Sequence, residues 1–123
     1  MRLYKSTKNG VTIMRLAGVV SIRDMESVLD YTRGIGGEIT GYSIIDFEGV
    51  SHINYRAFQL LEGETEHRGR IIFSGLNDYI LQIYSFVSRP ESVQIFKDWQ
   101  AALEFLSMER GKIIESVPGL VAK

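Results

Sequence analysis

An opening hairpin followed by alternating strands and amphipathic helices predicts an α/β fold in the order β-β-α-β-α-β-α-β-α, built on a mostly parallel central sheet with an N-terminal hairpin strand. Three observations carry this. Short runs rich in β-branched and aromatic residues recur at Val11–Leu16, Tyr42–Phe47, Arg70–Phe73 and Val93–Phe96. The segments between them repeat apolar residues at helical spacing. The chain of 123 residues is 45% hydrophobic and 24% charged, the size and composition of one folded domain with one core.

Val11-Thr12-Ile13-Met14-Arg15-Leu16 reads as a strand that stops at Gly18, and Leu3-Tyr4-Lys5 as a short partner strand. Lys8-Asn9-Gly10 supplies the turn, because Asn and Gly tolerate positive φ. Ser21 reads as a helix N-cap with Asp24 in the first turn, where a carboxylate meets the positive end of the helix dipole. Ile22, Met25, Val28, Leu29 and Thr32 form the buried stripe, and Gly34, Gly36 and Gly37 end the helix. Tyr42–Phe47 is the next strand, broken by Glu48-Gly49. Asn54 caps a helix to about His67 with Ala57, Phe58, Leu60 and Leu61 on its apolar face. Gly69 precedes the Arg70–Phe73 strand, and Ser74-Gly75 turns into a helix capped by Asn77 with the stripe Ile80, Ile83, Tyr84 and Val87. Pro90 stops that helix. Val93–Phe96 is the last strand, and Asp98 caps a helix presenting Trp99, Ala102, Leu103 and Leu106. Residues 1–107 are read as the folded domain and 108–123 as a C-terminal tail or short packing element.

The formal charge of -1 leaves no surplus of Lys and Arg to displace counterions from phosphates, so no nucleic-acid partner is expected. With no cysteine, the sequence holds no disulfide, thiolate nucleophile or Cys-ligated zinc. No apolar run approaches the roughly 18 residues that span a bilayer, so no direct membrane insertion is expected, and the start lacks a signal-peptide core. A cytoplasmic location is the expectation.

Few residues invite chemistry. His52 and His67 are the only histidines. With a helix of about 20 Å between them, they are not expected to share a metal or a proton. Asp46 ends its strand at the carboxyl edge where α/β sheets place ligands, but no second carboxylate, Lys or metal-ligand set stands at a usable spacing. Its expected role is structural, accepting hydrogen bonds from loop amides and fixing the turn. Gly34-Ile35-Gly36-Gly37 follows a helix and precedes a strand, the wrong order for a phosphate-binding loop. Tyr55 and Arg56 stand in the first turn of the helix capped by Asn54, a candidate anion site. Trp99, Tyr79 and Tyr84 lie on helices, where core packing is their expected use. No catalytic residue, metal or cofactor is expected.

From Asp46 to Leu61 the sequence reads DFEGVSHINYRAFQLL. This resembles the central motif of STAS domains, the family of anti-sigma-factor antagonists and sulfate-transporter cytoplasmic domains. The motif has the form D-hydrophobic-x-G-V-x-x-I-D-S-S-G-hydrophobic. VTIMRLAGVV, IIFSGLNDYILQIYSFV and VQIFKDWQAALEFL resemble the second strand with its following loop, the fourth strand with third helix, and the closing strand with helix of the same family, so that residues 3 to 107 are covered. The resemblance implies a STAS-like fold and a non-enzymatic, protein-binding, regulatory function.

One departure bears on mechanism. Antagonists of the family carry a serine in the D-S-S-G stretch that a partner kinase phosphorylates. Here Asn54-Tyr55-Arg56-Ala57 occupies that stretch, with Arg56 in the serine's place. A guanidinium neither accepts a phosphoryl group nor imitates one. The expected partner surface is Ser51, His52, Asn54, Tyr55, Arg56, Ser74, Asn77 and Asp78, around the loop from Gly49 to Ile53. The resemblance implies an anti-sigma or kinase-like regulatory protein as partner. The alternatives are a sensor of small anions or nucleotides, with Tyr55 and Arg56 as the site, and an accessory subunit of a transporter complex.

Overall fold

The computed structural model describes residues 1–35, 42–65, 70–88 and 94–116. β1 (Arg2–Lys8) and β2 (Val11–Val20) form the antiparallel hairpin, turning at Asn9 (φ 53°) and Gly10 (φ 75°). β3 (Tyr42–Ile53), β4 (Arg70–Ser74) and β5 (Ile95–Phe96) add in parallel, giving the spatial order β1-β2-β3-β4-β5. The helices are α1 (Ile22–Ile35), α2 (Tyr55–Thr65), α3 (Asp78–Ser85) and α4 (Trp99–Ser116). The element order is the predicted one, and the sheet is parallel except at its hairpin.

Adjacent residues of β2, β3 and β4 feed different cores, as the two-residue period of a strand requires. Met14, Ile45 and Phe73 pack with Met25, Phe58, Leu61 and Tyr84 under α1, α2 and α3. Ile13, Ile44 and Ile72 pack with Ala102 and Leu106 of α4. The result is three layers: three helices, the sheet, and one helix. Phe47, Phe58, Phe73 and Tyr84, one from each of four elements, form a buried cluster with centroid separations from 5.1 to 6.5 Å.

Several boundaries differ from those predicted. β1 is seven residues long rather than three, because all of Arg2–Lys8 pairs in continuous register with β2. β2 does not stop at Gly18. It passes through that glycine at φ 89° and runs on to Val20. Glu48-Gly49 does not break β3 either. A register shift between Arg15/Ala17 and another between Gly18/Val19 let β3 continue beside β2, with Ala17 opposite Gly49 and Val20 opposite Ile53. A bulge absorbs extra residues without ending a ladder. A Cβ at Gly49 would lie 3.0 Å from the Leu16 carbonyl oxygen, so the missing side chain is what permits the close approach. Ser51 and His52 are therefore strand residues and not loop residues. α1 continues through Gly34 to Ile35. Leu60, predicted apolar face, is 36% exposed, whereas Ala57, Phe58 and Leu61 are buried. Gly36, Gly37, His67, Gly69, Pro90 and Val93 lie outside the described residues. α4 includes the backbone from Gly111 to Ser116.

The caps are those expected. The Asp24 N–H donates to Ser21 Oγ at 3.1 Å, and the Ser21 N–H donates to Asp24 Oδ2 at 2.9 Å, a reciprocal box at the start of α1. Asp98 Oδ1 accepts from the Ala101 N–H at 2.8 Å. The Ser21 backbone N–H holds the Asp24 carboxyl below the ordinary aspartate range. A lowered folded-state value means that the ionised form supports the fold. Its contribution is present at neutral pH and fades as pH falls below about 4. Ser21→Ala is expected to lower stability by about 1 kcal/mol. In urea titrations, the smaller deficit of Asp24→Asn is expected at pH 7 and gone in acid.

Candidate protein-docking surface

In a parallel sheet the strands finish at one edge, and the helices that follow begin there. Here that edge gathers the ends of β2 and β3 with the first turns of α2 and α3. The Asn54 N–H donates to the Val20 carbonyl at 3.1 Å, fixing the start of α2 to the end of β2. Asn54 Oδ1 accepts from the Arg56 N–H at 2.9 Å, and its carbonyl accepts from the Ala57 N–H at 2.9 Å. Asn54 is thus consumed as a cap, and Tyr55 and Arg56 project from the first turn, both exposed.

Arg56 and Tyr55 hold each other. The guanidinium lies 5.8 Å from the Tyr55 ring centroid, and Arg56 Nε donates to the Tyr55 hydroxyl at 3.3 Å. The hydrogen bond to the Tyr55 side chain raises the Arg56 pKa further, so the group is a fixed cation. At that distance the ring face attracts the guanidinium charge.

The second pair is His52 with Tyr79. His52 Nδ1 and the Tyr79 hydroxyl are 2.6 Å apart, with ring centroids at 5.8 Å. This contact ties the end of β3 to the first turn of α3. Tyr79 is 50% exposed, which corrects its assignment to the core; Tyr84, five residues on and on the other face, is the buried tyrosine of that helix. Val19, opposite His52 in the β2–β3 register, is 57% exposed and belongs to the same patch. Sequence reasoning missed Tyr79 and Val19. For Tyr79 a signal existed, since the stripe Ile80, Ile83, Tyr84 and Val87 already accounts for the buried face of α3 without it.

Asn77 caps α3, its Oδ1 accepting from the Ile80 N–H at 2.9 Å, and Asp78 follows, exposed in the first turn. Ser51 is exposed on β3. Ser74 is placed differently from the rest. It is fully buried and does not reach the surface; its hydroxyl donates to Asp46 Oδ1 at 2.7 Å. Asp46 stands within β3 rather than at its end and is 1% exposed, with Arg15 Nε 3.7 Å from Oδ2. Its hydrogen-bond donor is the Ser74 side chain and not a loop amide. Asp46 and Ser74 form a buried polar brace under the turn into α3. A cleft of about 260 Å³ opens beside it, lined by Tyr4, Arg15, Leu16, Ala17, Asp46 and Gly49. Among the described residues no group of three or more His, Asp or Glu side chains is placed to hold a metal ion.

A five-stranded sheet with a leading antiparallel strand, covered by three helices on one face and one on the other, defines a STAS-like fold. The comparison with solved structures agrees. The chain is similar to the anti-sigma factor antagonist SpoIIAA in its unphosphorylated form, with a TM-score of 0.63 and 16% identity over 86% of this chain and 98% of that one. It is similar to the phosphorylated form of the Bacillus cell fate determinant SpoIIAA, with a TM-score of 0.65 and 16% identity over 85% of this chain and 99% of that one. It is also similar to the murine anion transporter solute carrier 26 family member A9, with a TM-score of 0.63 and 19% identity over 80% of this chain and 18% of that one. No protein-family model matches the sequence, and no curated protein matches it. Among the described residues no helix is long and apolar enough to cross a membrane.

Proposed function

We propose that this chain is a non-catalytic regulatory module that binds a partner protein through the surface formed by Val19, Ser51, His52, Tyr55, Arg56, Asp78 and Tyr79. The observation that carries this reading is the pairing of exposed aromatic rings with polar groups, Tyr55 with Arg56 and His52 with Tyr79, on a rigid edge of the fold. Aromatic residues and arginine are the side chains that most often dominate protein interfaces, since they bring large contact area at small entropic cost. The backbone beneath them is pinned by Asn54 and Asn77, so the surface is preorganised.

The fold likeness to SpoIIAA supports a partner of the anti-sigma or kinase-like class; the likeness to the anion transporter supports a place in a transporter complex. Both readings use the same surface of this chain. A fixed cation at Arg56 selects an acidic patch on the partner, and partner choice is set there and not by phosphorylation. Arg56→Glu is expected to lower partner recovery at least about tenfold when the tagged chain is purified from its native cell and the eluate is read by mass spectrometry. Equal recovery by the wild type and the variant would sink this reading. A small-anion sensor is less well supported, because Arg56 and Tyr55 engage each other on an open surface.

A further inference from the structure

We propose that the outer edge of β1 receives an acidic, extended segment of a partner protein as a sixth strand. This surface is separate from the one at the start of α2, and the inference does not rest on it. β1 is the outermost strand of the sheet, and among the described residues no strand pairs with its outer side. Its seven residues are in unshifted register with β2, contain no proline, and are all exposed except Leu3. An edge of that length offers a row of backbone donors and acceptors to another chain. The opposite edge, β5, has two residues and offers no such row.

The side chains choose the occupant. Arg2, Lys5 and Lys8 are the charged residues of β1, all positive, and half-exposed Arg15 stands opposite Tyr4 on the next strand. Lys5 Nζ lies 5.4 Å from the Tyr31 ring centroid on α1, and Lys8 Nζ lies 4.9 Å from that of Trp99 on α4. The two lysines thus lie back over opposite faces of the sheet and leave the backbone edge between them open. A second copy of the chain is a poor occupant. Two β1 strands paired antiparallel along their full length set Arg2 against Lys8 and Lys5 against Lys5, cation against cation at every charged position. The same lysines that bar self-pairing favour a strand bearing Glu or Asp, so one feature supplies both the attraction and the discrimination.

The test uses the full chain, labelled with ¹⁵N, and two synthetic eight-residue peptides, one alternating Glu with Val and one alternating Lys with Val. The Glu peptide is expected to shift the amide resonances of Arg2–Lys8, to slow exchange of their outward-facing amides, and to bind at least about tenfold more tightly than the Lys peptide, with the gap narrowing in high salt. Lys5→Glu/Lys8→Glu is expected to reverse the preference, and the single Lys5→Glu variant to reduce it; native-like spectra establish that each is folded. Equal binding of both peptides, shifts confined to residues away from β1, an unchanged preference in a folded charge-swapped variant, or no binding of either peptide at millimolar concentration would each overturn the proposal.

Discussion

Phe58→Ala is expected to remove about 4 kcal/mol of unfolding free energy, a large part of the roughly 5–15 kcal/mol that holds a domain of this size together. Phe58 is fully buried on α2 and lies 5.4 Å from the ring of Phe47, 6.5 Å from that of Phe73 and 5.1 Å from that of Tyr84. Truncation leaves a cavity bounded by three large rings on three other elements, and rigid rings collapse poorly into a void. The Tyr84 hydroxyl is also anchored to Glu62, which restrains that ring from moving in. Leu60 supplies the control. It sits two residues away on the same helix but 36% exposed, and Leu60→Ala should cost under about 1 kcal/mol. Urea unfolding should show a lower midpoint for Phe58→Ala with an unchanged slope. A loss below about 1 kcal/mol would mean that the aromatic cluster is not what joins α2 and α3 to the sheet.

Periodicity alone makes most of this architecture legible. Ile13 beside Met14, Ile44 beside Ile45 and Ile72 beside Phe73 are doubly apolar runs, the mark of a strand covered on both faces, and both cores are built on them. The capping residues Ser21, Asn77 and Asp98 are equally visible, because their role depends on a side chain reaching its own backbone. The misreadings have a common cause. Gly18 and Glu48-Gly49 read as breakers by local preference, yet both lie where β2 and β3 shift register, a long-range event that no local window contains. The proposed docking surface is legible around Asn54, Tyr55 and Arg56, which one helix start holds together. It is not legible at Tyr79, whose partner His52 is 27 residues away, and the burial of Ser74 beneath it is not legible either, because its partner Asp46 is 28 residues away. Local signals mark where helices start; the strand order decides which starts become neighbours.

That brace beneath the surface is the basis of the second large effect. Gly75→Ala is expected to destabilise the fold by about 3 kcal/mol and to weaken partner binding, whereas Gly63→Ala should stabilise it by up to about 1 kcal/mol. Gly75 sits at φ 71°, in the left-handed region, and its N–H donates to the Phe96 carbonyl at 3.0 Å. A Cβ there would lie 2.6 Å from Asp46 Oδ1, 2.8 Å from the Glu48 backbone nitrogen and 3.0 Å from Glu48 Cβ. Strain in φ alone is worth about 1–2 kcal/mol, and the clash adds to it because neither neighbour is free to retreat. Asp46 is buried and hydrogen-bonded to Ser74, and the Glu48 nitrogen belongs to β3. Gly63 is the opposite case, helical and with nothing within 4 Å of an added methyl group, so only the helix propensity changes. Because the turn at Gly75 leads directly into Asn77 and Tyr79, displacing it moves the His52–Tyr79 pair along with the stability. Thermal melts and partner recovery measured on the same two variants separate these effects. A Gly75→Ala protein with wild-type stability would show that the Asp46–Ser74 brace yields to a methyl group, and that the surface above it is less rigid than its hydrogen bonds imply.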